Sequence, residues 1–416
     1  MNKEIKKGLV PVLRFPEFKD SGEWEKKALN QVCDINPTVK KLPDNFIYID
    51  LESVESGVLL QKKLIQLESA PSRAQRLLKN GDVIFQMVRP YQKNNYFFYS
   101  TDNFNYVAST GYAQLRAYQS NSYLFQYLHT DIFVDRVLTK CTGSNYPAIN
   151  GSALSAIKIE IPKLPEQTKI AACLSSLDDL ITAQTQKIEA LKTHKKGLMQ
   201  QLFPQEGETV PKLRFPEFRD SGEWKKTTLG EIASFFKGKG LPKSAITTEG
   251  RYLCVHYGEL FTEYAEVIKA IKSRTDFNND CFLSIANDVL MPTSDVTPNG
   301  LAKASCINKN DVILGGDILV IRTNKILING EFLSRQIRYF EKQVLRFVSG
   351  STVFHLYASS IEKLSIFIPS IQEQTKIAAC LSSLDDLINA HVKKCEGLKN
   401  HKKGLMQGLF PVAGEK

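Results

Sequence analysis

Apolar residues recur by threes and fours along two stretches of this chain. In the first, Ile170, Leu174, Leu177, Ile181, Ile188, Leu191, Leu198 and Leu202 mark one face, and Gln184 and Lys195 fill the two places where the seam lapses. In the second, Ile377, Leu381, Leu384, Ile388, Cys395, Leu398, Leu405 and Leu409 repeat the seam, with His391 and Lys402 at the lapses. This step predicts two helices with coiled-coil seams, over about 165 to 203 and about 372 to 410. Pro165 suits a first helical turn, Ser370 followed by Glu373 reads as a capping box, and Phe203-Pro204 and Phe410-Pro411 stop the helices. At the helical rise each spans roughly 55 Å. A helix of this length cannot hide its own seam. Two matching seams therefore pack together as an antiparallel pair, or else each covers its own domain, and the matching favours the first. Lys195 and Lys402 read as solvated residues that complement the helix dipole.

The seams belong to a longer duplication. The string EQTKIAACLSSLDDLI occurs at Glu166 to Ile181 and again at Glu373 to Ile388, 207 positions on. VPVLRFPEFKDSGEWEKKAL, Val10 to Leu29, returns as VPKLRFPEFRDSGEWKKTTL, Val210 to Leu229, 200 positions on. Between these shared boxes lie two inserts, about 30 to 160 and about 230 to 368, that have diverged almost completely. Both read as α+β. Asp82 to Arg89 looks like a strand after a Gly81 turn, Tyr123 to Leu138 has helical spacing, and Ile157 to Ile161 alternates before Pro162. Asp288 to Met291, Asp317 to Arg322, a helical Glu331 to Phe347 and Leu364 to Ile368 echo that order. A chain that keeps its connectors and varies its inserts reads as a scaffold for two different recognition surfaces.

Composition narrows the class. At 416 residues, 43% hydrophobic and 24% charged, the chain suits two soluble domains with connectors. No apolar run is long enough to cross a bilayer, and the first residues lack the apolar core of a secretory leader, so a cytoplasmic location is expected. Cys173 and Cys380 share one position of the repeat and are expected as buried thiols on the apolar side of their helices. Cys33, Cys141, Cys254, Cys281, Cys306 and Cys395 form no CxxC pair and no metal-ligand spacing. A net charge of +10 suits a polyanionic partner.

Catalytic motifs are missing from the chain: no phosphate loop, no dinucleotide fingerprint, no H-E-x-x-H, no nucleophile elbow and no Asn/Asp-Pro-Pro-aromatic tetrapeptide. His194 and His401 read as polar-face residues. The inserts instead offer basic and amide side chains near aromatics. Arg89, Gln92, Lys93, Asn94 and Asn95 follow a strand as a loop able to bond guanine or adenine edges. At the corresponding point of the second insert stand Thr293, Ser294, Thr297, Asn299 and Lys303, so a different base sequence is expected there. Arg73, Arg76, Lys62, Lys63, Lys237, Lys239 and Lys243 are expected to meet phosphates.

The duplicated helix start behind an Ile-Pro strand end, with Leu164-Pro165-Glu166-Gln167 through Asp178 and Ile371-Gln372-Glu373-Gln374 through Asp385, resembles the specificity subunit of type I restriction-modification enzymes, HsdS. Trp24 and Trp224, which open the inserts, and the strand starts at Gly81 and Asn287 extend that resemblance over nearly the whole chain. Gln372, where the family usually has proline, is a departure. The resemblance implies two target recognition domains separated by two long antiparallel coiled-coil helices in a pseudo-two-fold repeat. The implied parts are a leading segment at 1–23, recognition domains at 24–163 and 224–369, spacer helices at 164–204 and 370–411, a linker with the repeated box at 205–223, and a tail at 412–416. It also implies that each domain reads half of a bipartite double-stranded DNA target. Two adenine methyltransferase subunits and restriction subunits would be the partners, with S-adenosylmethionine, ATP and Mg²⁺ on those partners and none on this non-catalytic chain. Two other readings remain: a coiled-coil adaptor between proteins, and a nucleic-acid enzyme whose catalytic residues escape motif recognition.

Overall fold

A computed structural model describes residues 9–411; the tail at 412–416 and the start of the leading segment lie outside the described residues. Two helices of 39 residues, Leu164–Leu202 and Ile371–Leu409, dominate the chain. The chain divides into two compact units, Met1–Thr185 with Lys393–Lys416, and Gln186–Val392. The division cuts each long helix, so each unit holds one insert, part of one helix and the complementary part of the other.

In the first unit the strand leading into the insert, Glu25–Ala28, pairs antiparallel with the strand leading out, Lys158–Ile161, and closes the domain at its neck. Beyond the neck lie two four-stranded sheets. One runs Lys63–Gln66, Asn45–Ile49, Tyr106–Ser109, Ala74–Leu77; the other runs Cys33–Ile35, Tyr112–Ala117, Val83–Gln86, Tyr96–Phe97. In the second unit Lys225–Thr228 pairs with Ser365–Ile368 in the same way. A five-stranded sheet there runs Ala233–Lys237, Ile318–Thr323, Asp288–Pro292, Ser305–Ile307, Val267–Ile268, beside a four-stranded one. The two inserts are thus one plan with local changes. At the first neck the alternation Lys158 to Ile161 hides a buried Glu160, which Arg136 binds with two hydrogen bonds of 2.8 and 2.9 Å. Phe367 takes that place in the second unit.

The repeated strings acquire physical roles here. Arg14 donates from Nε and Nη2 to both oxygens of Glu166 at 2.7 Å, and Arg214 does the same to Glu373 at 2.8 and 2.6 Å. All four side chains are buried. A third nitrogen of each arginine donates to the carbonyl of Gly22 or Gly222, glycines that hold the left-handed region at φ +77° and +73°. The next residue of each string, Gln167 or Gln374, donates to the carbonyl of Pro162 or Pro369 at the preceding strand end. Ser370 caps the second helix through the Glu373 amide at 3.2 Å, but the Glu373 carboxylate goes to Arg214 and not back to Ser370, so only half of the expected capping box forms. Trp24 packs edge-on against Phe410 and Tyr123, and Trp224 against Phe203 and Phe332.

Within each unit the long helices meet antiparallel. In the first, Asp178 binds Lys402 at 2.6 Å while Thr185 lies 3.7 Å from Cys395, so positions rise on one helix as they fall on the other. In the second, Asp385 binds Lys195 at 2.5 Å. Ile170, Leu174, Leu177, Ile188, Ile377, Leu381 and Ile388 are buried, whereas Ile181, Leu191, Leu384 and Leu398 are half-buried.

Several expectations fail for identifiable reasons. Lys195 and Lys402 are not solvated: their side chains are 14% and 16% exposed and hold the Asp385 and Asp178 carboxylates across the seam. Cys173 and Cys380 are half-buried, because they sit one position off the face that carries Leu174 and Leu381; the buried helix thiol is Cys395. The helical stretch Tyr123 to Leu138 breaks at His129-Thr130, where the Thr130 hydroxyl caps a second helix at Phe133. Glu331 to Phe347 likewise splits into Gly330–Tyr339 and Glu341–Leu345.

Replacing Arg214 by Met strands a buried Glu373 carboxylate, which is expected to cost about 3–5 kcal/mol of stability. The double replacement Arg214→Met, Glu373→Met is expected to lose less, and urea unfolding of the full chain compares them. Lys195 also binds Glu266 at 2.9 Å. Burial alone would raise the Glu266 carboxyl, but Lys195 and Arg338 outweigh it and hold the group at about 2, down from 4.5. A depressed carboxylate stabilises fully above its unfolded value and loses that contribution as pH falls through its folded one. The stability gap between the native chain and Lys195→Met should be constant from about pH 5 to about pH 7 and should shrink toward about pH 2. Urea midpoints across pH would show this, and a gap indifferent to acid would contradict it.

Candidate nucleic-acid interface

Each unit presents one loop at the end of a strand that is buried along its whole length. In the first unit Gly81, at φ +94°, turns the chain into Asp82 and the strand Val83–Gln86. The buried Asp82 carboxylate takes Arg116 Nε at 2.8 Å and Nη2 at 2.9 Å, plus Gln114 Nε2 at 2.7 Å. In the second unit Asn287, at φ +89°, leads into Asp288 and the strand Asp288–Pro292, and Arg322 binds Asp288 at 2.8 and 2.7 Å. Buried carboxylates paired with two donors tolerate little movement, because a lost partner leaves an uncompensated charge. The start of each strand that leads to a loop is therefore fixed.

Past the strand, most of the first loop's polar groups are consumed in holding its shape. The backbone of Gln86 donates to Asn95 Oδ1 at 2.9 Å, and its side-chain amide bridges Gln92 Oε1 and the Asn94 amide. Asn94 Oδ1 accepts from the Ser56 amide. Lys93, itself at φ +55°, spends its ammonium on Asp131 at 2.6 Å and on the His129 carbonyl at 2.9 Å. Asn95 is buried, which removes it from any surface contact. Gln92 stays exposed. Arg89 differs from all of these. Its backbone is left-handed at φ +53°, its amide donates to the Pro147 carbonyl at 2.7 Å, and its guanidinium stacks 4.2 Å over the exposed Tyr146 ring. That guanidinium donates no hydrogen bond to any described residue.

A second segment flanks the loop in both units. Val88 bridges Ala148, next to a turn at Gly143, and Ser294 pairs with His355, next to a turn at Gly350. In the second unit Ser294 Oγ lies 3.0 Å from His355 Nδ1, and the Thr293 carbonyl accepts from Leu356. Thr297 donates to Asp295 at 2.8 Å, Lys303 donates to the Phe261 carbonyl at 2.7 Å, and Asn299 is exposed. Thr297, Asn299 and Lys303 line an open cleft of about 650 Å³ with Phe261, Asp295 and Arg338.

The basic residues assigned to phosphates divide. Arg73, Lys237, Lys239 and Lys243 are exposed. Lys237 is tied to Asp317 at 3.3 Å and Lys239 to Asp280, while Lys243 makes no ion pair among the described residues. Lys62 and Lys63 are paired with Asp102 and Asp50 at 2.7 and 3.1 Å. Arg76 is half-buried in the strand Ala74–Leu77, and burial lowers its pKa. Sequence reading missed Tyr146 and Asp295. Tyr146 comes from a segment far along the chain and carries no local pattern, whereas Asp295 was legible as the residue seven positions beyond Asp288, as Arg89 is seven beyond Asp82.

The family described as type I restriction modification DNA specificity domain matches residues 21–193 and 221–400, one match in each half. The chain belongs to that family. A putative type I restriction enzyme MjaX specificity subunit from Methanocaldococcus jannaschii is 27% identical over 281 residues, 64% of this chain. The chain spans 61% of that relative's length. The HindI specificity subunit of Haemophilus influenzae is 24% identical over 194 residues, covering 44% of this chain and 41% of the relative. Among solved structures, the S subunit of a type I restriction-modification system from M. genitalium superposes with a TM-score of 0.61 at 16% identity, over 97% of this chain and all of that one. A structure described as the assembly and conformational transition of a type I R-M system gives 0.54 at 22% identity, over 93% of this chain and 97% of that one. At these identities the likeness is one of fold.

Proposed function

We propose that this chain is the DNA-specificity subunit of a type I restriction-modification complex, in which each insert reads one half of a bipartite double-stranded target. The observation that carries this reading is the contrast between kept and varied parts. The clamps Arg14–Glu166 and Arg214–Glu373 and the strand anchors Asp82–Arg116 and Asp288–Arg322 recur in both units. The loops they support carry different chemistry. A scaffold duplicated to that degree, with divergent donor and acceptor sets at one register, fits an asymmetric two-part DNA sequence, since base edges are told apart by donor and acceptor pattern. The long helices supply the spacer, and the net charge of +10 supplies attraction to phosphates.

In this reading the chain performs no chemistry itself. Modification subunits dock on it, bind S-adenosylmethionine and methylate adenine, and restriction subunits bring ATP and Mg²⁺; the complex works in the cytoplasm. None of the described helices is long and apolar enough to cross a membrane.

Mapping methylated adenines across the genome of cells with and without this gene tests the reading. A gapped motif that vanishes with the gene is the expected result, and an unbroken motif or none at all counts against it. Exchanging residues 30 to 160 for the insert of another such chain should change one half of the motif and leave the other half and the gap as they were. A change in both halves would end the modular reading.

A further inference from the structure

Arg89 and Asp295 occupy the same place in the two units. Each lies seven residues beyond the buried Asp that starts the central strand, and each follows directly on the residue that bridges the flanking segment, Val88 to Ala148 and Ser294 to His355. One side chain is a pure donor and the other a pure acceptor. Resting on the function proposed above, we propose that this position is a principal base reader in both domains: Arg89 takes guanine through O6 and N7, and Asp295 takes cytosine through its N4 amino group.

Both side chains are presented ready for use. Arg89 is held by stacking on Tyr146 and by its backbone bond to Pro147, which leaves the hydrogen-bonding fork unspent while its neighbours Lys93, Asn94 and Asn95 are consumed in the fold. A guanidinium fork matches the two adjacent acceptors of a guanine edge. Asp295 accepts from the Val296 amide at 2.7 Å and the Thr297 hydroxyl at 2.8 Å, one bond per oxygen. A carboxylate has about four acceptor positions, so two remain for a ligand. Its seat depends on Gly300, where a Cβ would stand 1.7 Å from Asp295 Oδ2. The carboxylate lies on the wall of the open cleft, within reach of an incoming base edge. Cytosine is preferred over adenine because the adenine amino group sits beside N7, an acceptor that a carboxylate repels.

The test uses the full chain assembled with its modification subunits and short duplexes that differ from the target by one base pair at a time. Methylation rates on each duplex give the discrimination at each position. Arg89→Ala should lose about ten- to a hundredfold of discrimination at one guanine of one half-site and nothing elsewhere. Asp295→Ala should do the same at one cytosine of the other half-site, and Gly300→Ala, which displaces the carboxylate, should mimic it. If an alanine variant fails to assemble, Arg89→Lys and Asp295→Asn keep the bulk and carry the comparison, each with partial loss at the same position. A uniform slowing on every duplex would identify phosphate contacts and overturn the proposal, as would unchanged discrimination at all positions. A native target without a gap would defeat the two-domain reading, and the single-position comparison would still decide the role of these two side chains.

Discussion

The buried pairing of an acidic residue at the helix start with an arginine from the preceding box is the interaction on which the rest of the molecule rests. Arg14–Glu166 and Arg214–Glu373 join the preceding box to the helix start, where the same arginine holds a glycine carbonyl of its own turn and the next glutamine of the helix, Gln167 or Gln374, holds the end of the returning strand. Buried ion pairs are weak evidence of net stability, since two charges must be desolvated to make them. Their consequence is geometric. Once the pair is buried, the leading strand, the returning strand and the first helical turn have a single mutual arrangement, and any other leaves a charge without a partner.

From that fixed start the helix aspartates extend the constraint. Asp178 is gripped by Lys402 of the other helix and by Gln126 of the insert, and Asp385 by Lys195 and by Arg335 in the corresponding place. Each carboxylate therefore ties helix to helix and helix to domain. An apolar seam alone tolerates sliding by whole turns; a charged pair half-buried at one level resists it. Within each unit this converts a greasy contact into a register. The outer parts of the inserts carry no such duty, which gives the loops after the central strands freedom to differ in chemistry while the strands that lead to them stay fixed by Asp82–Arg116 and Asp288–Arg322.

The loop residues show how folding and recognition compete for the same side chains. Amides and lysines that look like readers in sequence are equally good at satisfying a tight turn, and in the first unit Lys93, Asn94 and Asn95 are spent that way. A residue stays available for a ligand when the contacts that hold it leave hydrogen-bonding capacity unspent. Arg89 over Tyr146 is that case, and its guanidinium donates to no described residue.

The duplication, the two long helices and their stops, the α+β character of the inserts and the family were determined by the sequence by itself, because periodicity and repeated strings are local properties of the chain. Which lysines are solvated was not local. Lys195 and Lys402 look like ordinary polar interruptions of a seam, and only the antiparallel partner brings Asp385 and Asp178 opposite them. The same holds for Glu160, whose alternation points it outward until Arg136 on a separate helix meets it inside. Cys173 and Cys380 sit one step off the buried face, a difference too small for spacing to resolve. The choice among Arg89, Lys93, Asn94 and Asn95 was tertiary as well, since the partners that consume the last three come from Gln86, Ser56, His129 and Asp131 and their distances become fixed only when the chain closes on itself.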